Sequence, residues 1–140
     1  MSRVAVVTGG TRGIGRAICE RLKGDGLRVA AIHAGNDEAA ARCRDELEIL
    51  VLKCDVAESL ECQAAVKEIE SLLGPVDVLV NNAGVTHDTT FHKMDDRAWS
   101  DVIRVDLDGL FNMTSPVIEG MRERGWGRIV NIASINGQKG

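Results

Sequence analysis

Tyrosine is absent from this 140-residue sequence, and the other aromatics are two tryptophans and two phenylalanines. No side chain here can supply a phenolic proton. An excess of positive charge is also missing: 17 Lys and Arg stand against 21 Asp and Glu, for a net charge of −4. The densest basic stretch, Arg122, Arg124 and Arg128, is interrupted by Glu123. Phosphate-backbone affinity needs clustered cations, so no nucleic-acid partner is expected. No apolar run approaches the roughly 18 residues that span a bilayer, so no membrane association is expected. The apolar stretch at 4–7 is too short for a secretory signal and runs into glycines, which points to the cytoplasm. The four cysteines, Cys19, Cys43, Cys54 and Cys62, form no C-x-x-C pair and have no histidine at zinc-site spacing. They read as free, partly buried thiols, and no metal site is expected.

What is present is a core-forming chain. Hydrophobic residues make up 44% and charged residues 27%, outside the range of disordered sequences. A chain of this size exposes about 7,000 Å² when folded and roughly 22,000 Å² unfolded. One domain over residues 1–140 is expected.

Short apolar runs alternate with helical patterns. Strands are predicted at 3–8, 28–32, 49–53, 76–80 and 128–132. Between them, Ile14, Ala17, Ile18 and Leu22 fall at helical spacing, with Gly24 and Gly26 as a stop. Residues 37–47 read as a second helix, and Cys62, Ala65, Val66, Ile69 and Leu73 mark a third, closed by Gly74 and Pro75. A loop is predicted through Lys93, then a long helix from Trp99 to Met121, disturbed at Pro116. Continuous rather than alternating apolar strands imply burial on both faces. The prediction is an α/β, Rossmann-like, doubly wound parallel sheet with right-handed crossovers. Five strands are present. The last residues after the fifth carry no closing helix, so the C-terminal units of such a fold are expected to be missing.

The glycine-rich segment Thr8-Gly9-Gly10-Thr11-Arg12-Gly13-Ile14-Gly15 lies between the first strand and first helix. Glycines there allow a tight turn and close approach to a phosphate, and the bare amides of the helix start face the anion. A turn without a ligand has the same composition. The spacing is G-x-x-x-G-x-G, neither the G-x-G-x-x-G fingerprint nor a P-loop. After the second strand come His33, Ala34, Gly35 and Asn36, with no carboxylate until Asp37 to hold an NAD ribose. Arg12 stands where a guanidinium can meet a 2′-phosphate, or else it is a solvated loop charge. These two features favour NADP over NAD. Asp55 follows the third strand. It suits a hydrogen bond from the adenine amino group, and with Glu58 three residues on it also suits a capping box. Asn81-Asn82-Ala83-Gly84 follows the fourth strand, where small residues line a cofactor pocket or simply turn the chain.

These motifs and the strand Arg128-Ile129-Val130-Asn131-Ile132-Ala133-Ser134 occur in one order and at one spacing. Together they resemble the short-chain dehydrogenase/reductase family over essentially the whole chain, which matches only the amino-terminal part of the family's length. Asn82-Ala83-Gly84-Val85-Thr86-His87-Asp88, Phe91-His92-Lys93-Met94 and Gly125-Trp126-Gly127 are most similar to the family's branch that reduces acetoacetyl-CoA in polyhydroxybutyrate synthesis. The branch acting on 3-oxoacyl-carrier-protein shares most of them.

The resemblance implies a cofactor-binding set. It comprises Gly9, Thr11, Arg12, Gly13, Ile14 and Gly15 in the loop, Asn36, Asp55 and Val56 after the next two strands, and Asn82, Ala83, Gly84 and Val85. It implies reduction of an acyl thioester substrate at its 3-ketone, by hydride from NADPH and a proton from a tyrosine whose pKa a neighbouring lysine lowers. Ser134 matches the carbonyl-polarising serine, or else caps a loop. Asp106 stands where the family has a relay asparagine, and an ionised carboxylate cannot donate. Asp88 matches a substrate-side position, or else is a solvated loop acid. The tyrosine and lysine have no counterpart, so the 140-residue chain by itself is expected to be inactive. A non-catalytic dinucleotide-binding module, or a fragment that pairs with a separate remainder, are the other readings. The family also implies a homo-oligomer, commonly a tetramer.

Overall fold

The computed structural model describes residues 2–139. It contains β1 (Val4–Thr8), α1 (Gly13–Gly24), β2 (Arg28–His33), α2 (Asp37–Leu47), β3 (Leu50–Lys53), α3 (Ser59–Leu73) and β4 (Val76–Asn81). A single 3₁₀ turn at Phe91–Lys93 precedes α4 (Asp96–Val102), a π-helical segment at Ile103–Asp108, α5 (Gly109–Glu123), β5 (Arg128–Asn131) and a last turn, α6 (Asn136–Lys139). The five strands form one sheet in the order β3-β2-β1-β4-β5, and every neighbouring pair is parallel.

The doubly wound arrangement follows from the side-chain alternation of the central strands. Val4 and Val6 of β1, Ala30 and Ile32 of β2, and Val76 and Leu79 of β4 pack on one side with α3 and α5. Val7, Val29, Ala31 and Val80 face the other side with Cys19 of α1 and Cys43 and Leu47 of α2. Both faces are therefore apolar, which is why these strands read as uninterrupted hydrophobic runs. All four cysteines are free and fully buried, further in than their sequence context suggested.

At the lower rim, the register of β1 against β4 shifts between Val4 and Ala5, leaving Asp77 opposite no residue. Its carboxylate accepts the Val4 N–H at 2.9 Å, so the bulge leaves no donor unpaired there. Nearby, Trp126 is stacked between the guanidiniums of Arg3 and Arg128, at 3.6 and 4.8 Å from its ring centre.

The predicted disturbance at Pro116 is not found. α5 runs through Pro116 without a break, and the irregularity lies upstream in the π-helical segment. Proline removes one backbone hydrogen bond, but Met113, Val117 and Met121 anchor that helix in the core on both sides of it. The extra residue of the π turn instead lets Gly109 sit against the loop after β3. A Cβ on Gly109 would lie 2.8 Å from Val56 Cγ2. Asn112, one turn on, donates to the Val56 carbonyl at 2.9 Å.

Among the described residues no helix is long and apolar enough to cross a membrane. The chain exposes 8698 Å², above the ~7,000 Å² expected for its length. Trp99, Leu107, Phe111 and Ile118, on α4 through α5, are among the large apolar side chains left exposed.

Two substitutions in α5 test which face carries the fold. Met113 is fully buried and Phe111 is 71% exposed. Met113→Ala is expected to cost about 2–5 kcal/mol, and Phe111→Ala no more than about 0.5 kcal/mol. Urea unfolding followed by far-UV circular dichroism checks both.

Candidate functional site

The order of connection reverses between β1 and β4, since the chain builds outward to β2 and β3 and then returns to the other side of β1. In an open parallel sheet the carboxyl ends of the strands splay at such a point and leave a crevice. A cleft of about 210 Å³ lies there, walled by residues that follow β1, β2, β3 and β4.

The crevice is held in shape by an exchange of hydrogen bonds between the ends of β1 and β4. Thr8 Oγ1 accepts from the backbone amides of Asn82 and Ala83, at 3.0 and 2.9 Å. In return, Asn82 Nδ2 donates to the carbonyls of Thr8 and Gly9, at 3.1 and 3.2 Å. Thr8 is only 2% exposed, so these bonds satisfy groups that water does not reach freely. Gly9 adopts φ +60°, a left-handed conformation that suits glycine. Gly15 needs its missing side chain for a different reason. A Cβ there would fall 2.0 Å from the Gly9 carbonyl oxygen and 2.5 Å from Asn82 Nδ2.

That packing brings the first turn of α1 over the loop. α1 has no side-chain cap, its N-cap residue is Arg12 in extended conformation, and no acidic residue lies in its first turn. By contrast, α2 is capped by Asn36 Oδ1, which accepts from Ala39 N at 2.9 Å, and α4 by Asp95, which accepts from Ala98 N at 2.7 Å. The start of α1 thus offers bare amides and the positive end of the helix dipole, a setting suited to a phosphate.

The structure gathers most of the expected cofactor residues here. Gly9, Thr11 and Arg12 line the cleft from β1, and Asn36 lines it from β2. Asp55 and Val56 line it from β3, and Ala83, Gly84 and Val85 from β4. Asn82 and Gly15 lie behind this surface as part of its frame, and Gly13 and Ile14 are exposed at the start of α1. Sequence reasoning missed Thr8 as the brace, and it missed His33 and Cys54 on the cleft wall. Thr8 stood in the motif, but nothing local shows that its hydroxyl serves a strand 74 residues away.

The capping box expected at Asp55 and Glu58 does not form. Asp55 Oδ1 accepts from Ala57 N at 2.9 Å, two residues on, and Glu58 is the N-cap of α3 with no side-chain cap bond. The Glu58 carboxylate pairs with Arg104 of the π-helical segment. Glu61 takes the reciprocal place, its carboxylate accepting from Asp55 N at 2.8 Å. The turn at 55–58 delays the helix by one turn, which displaces the back-bonding acid by three residues.

The expected catalytic and substrate residues lie apart from the cleft lining. Asp106 is in the π-helical segment, and its Oδ1 accepts from Val85 N at 2.8 Å. It therefore ties the loop after β4 to the helix above. Ser134 is exposed beyond β5, with its Oγ accepting from Asn136 N at 3.2 Å. Asp88 borders a separate open hollow beside α4, with Thr86, His87 and Lys93.

On the cleft wall, His33 is largely buried, and its Nδ1 has no hydrogen-bond partner. Burial lowers its pKa, opposed by the Asp37 carboxylate 4.0 Å away. Asp37 itself is paired with Lys53 at 3.0 Å and is not among the residues that line the cleft.

The family model described as short chain dehydrogenase matches residues 3–140. An acetoacetyl-CoA reductase of Rhizobium meliloti (strain 1021) is 58% identical over all 140 residues, which cover 58% of that protein. A 3-oxoacyl-[acyl-carrier-protein] reductase of Staphylococcus epidermidis (strain ATCC 12228 / FDA PCI 1200) is 39% identical, with all of this chain covering 59% of it. A solved structure of an actinorhodin polyketide ketoreductase with NADPH superposes with a TM-score of 0.95 at 43% identity, over 99% of this chain and 56% of the other. The chain spans less than two thirds of the length of each.

Thr8→Val keeps the shape and removes the shared acceptor. A loss of roughly 1–3 kcal/mol is expected, with faster hydrogen exchange at the Asn82 and Ala83 amides than elsewhere in β4. His33 is expected to titrate below the ordinary histidine value in an NMR pH series. Because its folded pKa is depressed, the unfolded chain binds the extra proton first. Stability should therefore fall as pH drops below about 6.5, and His33→Gln should flatten that part of the profile.

Proposed function

Since the chain belongs to the short-chain dehydrogenase family, we propose that it forms the nucleotide-binding part of an NADPH-dependent reductase of 3-oxoacyl thioesters, with acetoacetyl-CoA as substrate. The observation that carries the nucleotide reading is the uncapped start of α1, facing a crevice walled by four strand ends. The substrate reading rests on the 58% identity to an acetoacetyl-CoA reductase. The relative acting on carrier-protein thioesters supports the neighbouring substrate as the alternative.

The residues fit a dinucleotide. The close packing of Gly15 on Gly9 and Asn82 holds the first turn of α1 over the loop, and the amides at 13–15 have no capping side chain. Those amides would hold the pyrophosphate. Asp55 lines the cleft and has one carboxylate oxygen engaged by Ala57 N, which leaves the other to accept from an adenine amino group. NADP rather than NAD is favoured because Asp37 is engaged by Lys53 and Arg12 stands beside the ribose end of the cleft.

When bound, the nicotinamide supplies the hydride. This chain's own residues bind and orient. Asn82 fixes the loop through the Thr8 clamp, and Asp106 holds the Val85 amide and with it the wall at 83–85. In this role Asp106 is a positioning residue, since it accepts one backbone proton and contacts the wall of the site. Ser134 would polarise the ketone oxygen once its turn faces substrate. The chain holds no tyrosine, so no residue here takes the part of the family's proton donor. Cytoplasmic location and assembly with further copies through the apolar face of α4 and α5 belong to the same proposal.

Calorimetric titration tests it. NADPH is expected to bind at least tenfold tighter than NADH, and Arg12→Ala to reduce that preference. Acetoacetyl-CoA-dependent oxidation of NADPH by the 140-residue chain is expected to be negligible, since loss of the general acid alone typically costs 10²–10⁴-fold. Equal affinity for the two nucleotides would overturn the NADP assignment, and turnover at rates typical of enzymes would overturn the expected inactivity of the 140-residue chain.

A further inference from the structure

Beside the nucleotide crevice lies a second hollow of about 280 Å³, and the two share Thr11 and Arg12 as a common wall. Its other side is built by α1 and α2: Arg16 comes from the first, and Ala39, Arg42 and Glu46 from the second. Three guanidiniums against one carboxylate leave two positive charges unbalanced. The pairing within the hollow is also uneven. Glu46 is committed to Arg16. That hydrogen bond holds the Glu46 carboxyl below the usual carboxylate range, and the charge of Arg42 adds to the effect, which places Arg42 near the same carboxylate. Arg12 and Arg42 have no ion pair or side-chain hydrogen bond among the described residues. Two free guanidiniums facing one hollow, with water on the open side, form an electrostatic site for a doubly charged oxyanion.

We propose that Arg42, on the second turn of α2, is a specificity-determining residue that closes this hollow around the 2′-phosphate of the nucleotide, opposite Arg12. The inference rests on the nucleotide reading above and adds to it a residue outside the glycine loop and outside the segment that follows β2. Its basis is contiguity. The two hollows meet at Thr11 and Arg12, so a phosphate on the ribose of an adenosine held in the first cleft beside Asn36 and Arg12 would have the second hollow as its neighbour. Ala39 leaves the floor of that hollow open, where a larger side chain at that helix position would fill it. Arg16 is already paired with Glu46, which leaves Arg12 and Arg42 as the unpaired cations of the hollow among the described residues.

Isothermal titration of the 140-residue chain with NADPH, NADH, adenosine 2′,5′-bisphosphate and AMP tests the assignment. Arg42 is exposed on α2, and the variants Arg42→Ala and Arg42→Glu are checked for unchanged melting temperature. Arg42→Ala is expected to weaken NADPH and the bisphosphate about tenfold, the size of a lost charge-assisted hydrogen bond. Arg42→Glu should weaken them further, while NADH and AMP change less than about twofold. Glu46→Gln, which releases Arg16, is expected to tighten the two 2′-phosphorylated ligands only. An unchanged NADPH-to-NADH ratio in Arg42→Ala, with wild type still preferring NADPH, overturns the role of Arg42 and leaves the nucleotide reading standing. Parallel weakening of all four ligands also overturns it, because the residue then acts as a general surface charge. A wild-type chain that binds NADPH no tighter than NADH, or neither one, overturns the nucleotide reading itself.

Discussion

The clasp between Thr8 and Asn82 is the interaction on which the rest of the site depends. Two parallel strands side by side have no reason to stop at a common level, because their ladder can continue as long as both chains remain extended. Here the ladder is replaced at its end by a side-chain exchange. The Thr8 hydroxyl takes two amides of the β4 tail, and the Asn82 carboxamide takes two carbonyls of the β1 tail. Four backbone groups that would otherwise face a dry crevice are satisfied without a further strand residue. The chain is then free to turn away on both sides, with β1 passing into the glycine loop and β4 into the wall at Ala83 and Gly84.

Electrostatics in the crevice follow from the same economy of polar groups. The starts of α2 and α4 are closed by Asn36 and Asp95, and the uncapped start of α3 carries the acidic Glu61 in its first turn. The start of α1 has neither, and the nearest side chain is a guanidinium. Several acidic groups near the crevice have partners of their own: Asp37 is paired with Lys53, Glu58 with Arg104, and Glu61 with the Asp55 amide. The mouth of the crevice therefore presents Arg12 and an uncapped helix start beside carboxylates that are paired elsewhere, in a chain whose net charge is −4.

Much of the architecture was legible from residue order. Strands buried on both faces are short apolar runs, and the stops at Gly26 and Gly74 mark helix ends by local chemistry. The glycine loop was legible for the same reason, since its spacing reflects local backbone demands. What was hidden depends on partners far away in sequence. Pro116 looked like a helix breaker, yet the packing of Met113 and Val117 outweighs one lost hydrogen bond, and the actual irregularity at 103–108 has no local signature. Glu58 looked like the back-bonding acid, but Arg104, 46 residues on, claims it. Ser134, Asp106 and Asp88 were identified by motif position alone, and the sheet places none of them on the cleft wall.

Gly15 has a consequence for anyone who would transplant this loop. Its α-carbon sits so close to the Gly9 carbonyl and the Asn82 carboxamide that three distant stretches, 8–9, 15 and 82–83, interlock as one solid piece. Moving the glycine segment alone into another scaffold would deliver a flexible coil. The portable unit is the segment together with the tail of β4, two stretches of chain that must be grafted at once.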